Sequence, residues 1–294
     1  MFNYEKIRIN KNLFNMRAKQ LYFLLLFCLN IGSVYSQDSL SLQAYEENLK
    51  TIDVYIQGKK YSFLFDTGGG ETTISPEIAR VLNKNTYGSL TGFRMSGDII
   101  KTVKANGITM KIGHTEIFHP SVAVLDIMSL LPKEFPRIDG LISLKTFENQ
   151  ILTLDLARNT LYIESEKSAV NRIKGKQPIE SRFANGLTGT ELNIFIGIPK
   201  NNFSYWFLFD SGNSGPLLLS NETALQWGLR KSKLDSTINK SSVNILLGKS
   251  NFRAVPFFRD IIYEGVLNWD SMAKFVFTID FKRKQVWMNS PESL

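Results

Sequence analysis

Two aspartates in this chain sit in the same local setting. FLFDTGG occupies residues 63–69 and FLFDSGN residues 207–213, which places Asp66 and Asp210 144 residues apart. A strand reading Phe-Leu-Phe is apolar on both faces and belongs in a protein interior, where a terminal carboxylate is costly unless hydrogen bonds or a partner compensate it. The residues that follow supply what such a carboxylate needs. Gly68 and Gly212 let the backbone turn tightly and aim N–H groups at the carboxylate. Thr67 and Ser211 provide hydroxyls that can cross-link to a neighbouring loop. If two similar lobes pack about a pseudo-twofold axis, Asp66 and Asp210 meet beside it. Two carboxyls in contact cannot both ionise easily, so they share one proton and titrate in two coupled steps. One is then an acid and the other a base at a single pH, which is the equipment for activating a water and protonating a leaving nitrogen.

The elements around them support this picture, because the chain repeats itself. IDGLISLKTFENQILTLDLARNTLYI, residues 138–163, aligns without a gap on YEGVLNWDSMAKFVFTIDFKRKQVWM, residues 263–288. Gly140 then matches Gly265, Thr153 matches Thr278, and Asp155 matches Asp280. Upstream, residues 53–66 and 192–210 each read as two alternating runs around a turn, the pattern of a β-hairpin. Ser75-Pro76-Glu77 and Ser220-Asn221-Glu222 each place a serine N-cap ahead of an acidic first turn. Residues 109–126 match residues 243–260 between these landmarks. The order of elements implies a mainly β chain with two lobes, each a barrel-like or sandwich-like unit with a few short helices. The boundaries expected are a leader over 1–36, a first lobe over 37–166, a polar linker of little periodicity over 167–178, and a second lobe over 179–294. The first lobe carries about one hairpin of extra chain, around YGSLTGFRMSGDIIKTVKA at residues 87–105.

Asp155 and Asp280 are repeated too, but each lies between two apolar runs, where a role in a hairpin turn accounts for it. Asp139 and Glu264 read as polar caps at strand ends. His114 and His119 read as turn or strand-edge residues, and with one cysteine in the chain, metal ligands are scarce. No metal and no cofactor is expected.

The first 36 residues have the pattern of a secretory signal. Lys6, Arg8, Lys11, Arg17 and Lys19 form a basic region, residues 21–32 an apolar one, and Ser36 offers a small residue for cleavage before Gln37. A retained anchor is the alternative, although Asn30, Ser33 and Ser36 interrupt the uncharged run and its strongly apolar part is short for a span. Export to the periplasm or the extracellular space is the expectation. Cys28 lies inside this leader, so the exported part has no disulfide framework. The formal net charge of +8 falls to +4 without the leader, too mild and too scattered for nucleic-acid binding.

FLFDTG and FLFDSG resemble the active-site motifs of aspartic peptidases of the pepsin and retropepsin superfamily, in which each lobe or subunit contributes one aspartate. Asp139-Gly140-Leu141-Ile142-Ser143-Leu144 resembles the second signature of that superfamily, a strand running beside the aspartate loop, and Glu264-Gly265-Val266-Leu267 stands in its place in the second lobe. The resemblance spans essentially the whole exported chain and is closest to bacterial retropepsin-like proteins in a fused, single-chain form. It implies acid-protease-like lobes, Asp66 and Asp210 as catalytic, and Thr67 and Ser211 exchanging hydrogen bonds between the loops. It also implies that the extra hairpin is a substrate-covering flap, with Gly92, Phe93 and Gly97 near its tip and Tyr87 the nearest candidate for a flap tyrosine. Gly69 and Asn213 depart from the Ala, Ser or Thr usual after the motif, which implies a looser loop. The expected activity is hydrolysis of peptide bonds in a peptide or unfolded protein, with a monomer sufficient for the site. A catalytically inactive peptide- or glycan-binding protein is the alternative.

Overall fold

The computed structural model describes residues 37–230 and 242–291. The leader and Cys28 lie outside these residues. Strands dominate, and they fall into one sheet for each half of the chain, a two-stranded ribbon, and a five-stranded sheet shared by both halves.

In the first half, the hairpin Lys50–Ile56 and Lys59–Phe65 turns at Gln57 and Gly58, both with positive φ. In the second, Leu192–Lys200 and Phe203–Leu208 turn at Asn201 and Asn202, again both positive. Two-residue turns of this kind match the right-handed twist of the strands they join, which explains Asn and Gly there. The inner strand of each hairpin runs directly into an aspartate loop. Each also pairs in parallel with its second-signature strand: Phe63 opposite Gly140 in one half, Phe207 opposite Gly265 in the other. The glycines are dictated by packing. A Cβ on Gly140 would fall 2.4 Å from the Phe63 ring, and one on Gly265 2.6 Å from the Phe207 ring.

The caps are repeated as well. Asp139 accepts the Ser62 N–H at 3.1 Å, and Glu264 accepts the Trp206 N–H, so each acid closes the hairpin four residues before the motif aspartate. Ser75 N-caps the helix Pro76–Val81 and Ser220 the helix Asn221–Gln226. The closing hairpins meet in a five-stranded sheet in which Ile151–Asp155 lies antiparallel to Val276–Asp280. Thr153 stands opposite Thr278, their hydroxyls 3.0 Å apart, so the pseudo-twofold axis passes between them. Asp155 and Asp280 do turn work: each accepts the backbone N–H three residues on, from Arg158 and Arg283. The main apolar core runs through both halves, including Phe63, Phe65, Phe207, Phe209 and Phe277.

Two expectations need correction. The segment between the halves is not irregular throughout: Glu166–Ile173 is a helix, N-capped by Ser165, with Ala169 buried. It is anchored by Arg172, whose Nε lies 2.9 Å from Glu164. Two turns are too few for a periodicity to stand out in sequence. His114 is in a turn, as expected, but His119 lies within the strand Thr115–Val124 and is only 5 % exposed. Its pKa falls to about 4 because burial disfavours the imidazolium.

Candidate active site

The two motif loops face each other across the pseudo-twofold axis and are tied by reciprocal bonds. Thr67 N–H donates to Ser211 Oγ at 3.0 Å, and Ser211 N–H donates to Thr67 Oγ1 at 2.8 Å. Thr67 Oγ1–H then donates to the Phe209 carbonyl at 2.7 Å, and Ser211 Oγ–H to the Phe65 carbonyl at 3.4 Å. Both hydroxyl residues are fully buried. Each loop thus satisfies the other's backbone, and neither lobe could do so alone.

This grip sets the carboxyls. Gly68 N–H donates to Asp66 Oδ1 and Gly212 N–H to Asp210 Oδ1, both at 2.8 Å. The glycines also lie against the opposite aspartate. A Cβ on Gly68 would fall 2.5 Å from Asp210 Cγ, and one on Gly212 2.6 Å from Asp66 Cγ, so only glycine allows the two loops to approach this closely. The two carboxyls thus face each other closely enough for each to shift the other's titration. Burial raises the pKa of Asp66, opposed by the hydrogen bond with Asp210 and by the N–H groups of Gly68, Gly69 and Gly212. Asp210 is raised well above the ordinary carboxylate range, by burial first and then by the charge of Asp66. Both are raised, so the two carboxyls titrate as one coupled pair that holds a proton more tightly than either would alone.

The departures at Gly69 and Asn213 do not loosen the loops. A Cβ on Gly69 would fall 2.7 Å from Leu141 Cδ2. The second lobe has the smaller Val266 where Leu141 stands, and there Asn213 is accommodated, buried, with its Nδ2 donating to the Pro216 carbonyl at 3.1 Å. The residue after the motif is matched to the bulk of the second-signature strand.

The extra chain is a hairpin, Tyr87–Phe93 against Ile99–Ile112. Gly92 pairs with Ile100, and Phe93 is exposed. Gly97 lies in the turn with φ +85 and faces Ile262 of the second half. The tip docks across the cleft, with Ile262 N–H donating to the Met95 carbonyl at 3.0 Å. Tyr87 is half exposed, and its hydroxyl is taken by Asn106 at 2.5 Å and Ser121 at 3.4 Å rather than by either aspartate. In the second lobe, Tyr263 has its pKa raised by burial and then by the charges of Asp210 and Glu191.

Sequence reasoning missed a second link between the halves. Lys104, buried on the flap strand, lies 3.7 Å from Glu71 Oε1 and donates to Thr190 Oγ1 at 2.7 Å. Glu71 follows the first motif loop directly, and next to it Leu192 N–H donates to the Gly70 carbonyl at 3.0 Å. Burial raises the pKa of Glu71 and Glu191 adds to this, while Lys104 and Thr190 oppose it. The residues at 71, 104 and 190 come from three separate elements, and no local pattern marks them. A surface depression of about 700 Å³ lies elsewhere in the first half, between Tyr55, Lys84 and His114, and contains no residue of the motif loops.

Residues 52–146 match a family model described as aspartyl protease. No curated protein matches. Among solved structures, conglutin gamma, a basic 7S globulin from lupine seeds, is similar with a TM-score of 0.55 at 10 % identity, over 86 % of this chain and 95 % of that one. The basic 7S globulin from soybean gives 0.54 at 11 % identity, with the same coverage. The chain is thus aspartic-peptidase-like in its first lobe, and as a whole shares the two-lobed, mainly β fold of those globulins.

Proposed function

We propose that this protein is an exported aspartic endopeptidase that hydrolyses peptide bonds with a water activated between Asp66 and Asp210. The observation that carries the reading is the pair itself: two facing carboxyls, each lying against the glycine of the opposite loop, held by reciprocal Thr67 and Ser211 contacts. An ion-free fold would gain nothing from such a pair, since burying a charge beside a second acid is costly. In this reading, ionised Asp66 takes a proton from the water as its oxygen attacks the scissile carbonyl carbon. Asp210 gives its proton to the carbonyl oxygen, forming a neutral gem-diol. On collapse, the C–N bond breaks, Asp66 returns its proton to the leaving nitrogen, and a diol hydroxyl restores the proton on Asp210. Water is consumed, a carboxylic acid and an amine are formed, and no covalent enzyme intermediate arises.

The substrate would be a peptide or unfolded protein lying extended beneath the flap, its main chain paired as an added strand. Both carboxylates come from one chain, so a monomer would suffice. Nucleic acid would not be a partner, and the leader would direct the protein to the periplasm or beyond. The test is digestion of an unfolded polypeptide in H₂¹⁸O. New carboxyl termini carrying one ¹⁸O, without a trapped acyl-enzyme, support the reading, and an intact substrate at every pH from 3 to 8 would overturn it. The second reading, a non-catalytic peptide- or glycan-binding protein, draws on the docked flap tip. It predicts binding measurable by calorimetry without turnover.

A further inference from the structure

The sheet of the first half has a gap in it, edged by charged side chains. Strands Lys50–Ile56 and Ile99–Ile112 are bridged at one register pair, Tyr55 opposite Lys111. The same register would set Gln57 against Thr109, but the first strand ends at Ile56 and the chain turns away at Gln57 and Gly58. A cleft of about 700 Å³ opens where the strands part, a volume within the range of small-molecule sites. Ile56 and Ile108, 2 % and 1 % exposed, give it an apolar floor. Its edges are fixed by hydrogen bonds. Lys84 is half-buried, and its Nζ donates to the Gly107 carbonyl at 2.8 Å, which anchors a cation there. Asp38 holds the turn at Gly113 and His114, accepting the His114 N–H at 2.7 Å and the Thr115 hydroxyl at 3.0 Å. Lys111, Glu116 and the partly exposed ring of Tyr55 also line the cleft. Among the described residues, no ion pair holds Lys84, Lys111 or Glu116.

We infer that this cleft is a binding site for an anionic sugar of the hexuronate class, separate from the dyad. A ligand there meets three kinds of group at once. Lys84 and Lys111 favour a carboxylate, and each ammonium has donors to spare for it. Glu116 is an acceptor with no cation of its own, which suits the hydroxyls of a sugar and repels a polyanion such as nucleic acid. The Tyr55 ring and the floor of Ile56 and Ile108 offer an apolar surface to the face of a pyranose ring. A peptide strand is the poorer fit. The pairing of Tyr55 with Lys111 closes the sheet, so the cleft has only a short stretch of strand edge to offer a main chain. None of the lining residues belongs to a motif loop or to the flap tip, so the inference does not depend on the peptidase reading.

The chain has two histidines, and they give the test an internal control. His114 lines the cleft, whereas His119 is buried within the strand Thr115–Val124. In full-length protein carrying ¹³C at histidine Cε1, the two signals are assigned from the His114→Gln spectrum. Digalacturonate should shift the His114 signal in a saturable way, with a Kd of about 1 mM or tighter, and leave His119 in place. Galactobiose, its neutral counterpart, should leave both signals in place at the same concentration. Lys111→Glu, which reverses an exposed charge, should weaken digalacturonate binding about tenfold or more, and Tyr55→Ala roughly three- to tenfold. An unshifted His114 at about 10 mM digalacturonate, or the same Kd in Lys111→Glu, overturns the inference. An equal response to galactobiose overturns the anionic assignment, and an equal response to acetate or 4-hydroxybenzoate overturns the sugar. The readout needs no turnover. A protein that binds digalacturonate but leaves every polypeptide intact keeps the cleft and loses the peptidase, and the converse result loses only the cleft.

Discussion

Replacing Thr67 by valine keeps the side chain's shape and deletes one oxygen, so it isolates what the reciprocal grip contributes. Thr67 Oγ1 accepts the Ser211 N–H at 2.8 Å and donates to the Phe209 carbonyl at 2.7 Å, in a site with no exposure to water. Valine leaves both backbone groups buried and unpaired. At about 1–3 kcal/mol for each orphaned group, the loss is roughly 2–6 kcal/mol. For a chain of this size that corresponds to a Tm lower by roughly 4–24 °C. Ser211→Ala is the milder partner. It strands the Thr67 N–H at 3.0 Å, but its second bond, to Phe65, is already long at 3.4 Å. Its expected loss is about 1–3 kcal/mol. Urea unfolding followed by tryptophan fluorescence, with m-values compared to confirm that the same surface unfolds, measures both. A Thr67→Val protein within about 0.5 kcal/mol of wild type, the range of an ordinary surface change, would refute the reasoning. So would a Ser211→Ala protein that is the less stable of the two.

Further predictions follow from the same geometry. Asp210→Asn should raise Tm at pH 7: the folded pKa of Asp210 lies above its unfolded value, so its contribution is present at low pH and is lost as pH rises through the folded pKa. A scan in which the variant is less stable at pH 7 contradicts the raised titration of Asp210. His119 acts in the opposite sense. With its pKa depressed from 6.5 to about 4, the folded state loses about 3 kcal/mol as pH falls through that window. His119→Leu should flatten the stability profile between pH 6.5 and 4 as read by urea midpoints, and a profile still as steep would exclude the residue as its source. Lys104→Met strands the buried Glu71 carboxylate and should cost up to about 3–5 kcal/mol. Glu71→Gln should be tolerated better, and the reverse order by calorimetry would show the pair has been misread. Gly140→Ala places a methyl 2.3 Å from the Thr73 carbonyl and should cost 3 kcal/mol or more, measured by the soluble, folded yield and Tm.

What the sequence disclosed is what neighbouring residues decide. The hairpin turns at 57–58 and 201–202, the serine caps at 75 and 220 and the glycines at 140 and 265 are local signals, and the internal repeat let each be checked against a second copy. The meeting of Asp66 with Asp210 was legible because a repeat implies an axis, and equivalent residues near an axis must face each other. Thr153 and Thr278 meet for the same reason. The helix Glu166–Ile173 was not legible because two turns give too short a period, and its stability comes from Arg172 and Ala169 packing where they do. His119 reads as a turn or strand-edge residue, but the strand register turns it inward. Met95, Lys104, Glu71 and Thr190 meet only after the flap and the second half have folded against each other. Tyr87 stands nearest the flap by position alone, and its hydroxyl is taken up by Asn106 within its own lobe.

The claim at the centre is that Asp66 and Asp210 are two halves of one catalytic pair. The most direct test is kcat/KM against pH on an unfolded polypeptide for wild type, Asp66→Asn and Asp210→Asn. The account predicts a bell-shaped wild-type profile, its two limbs belonging to the coupled pair, and no turnover in either variant, with both variants folded by circular dichroism. Activity that persists undiminished in either folded variant would contradict it.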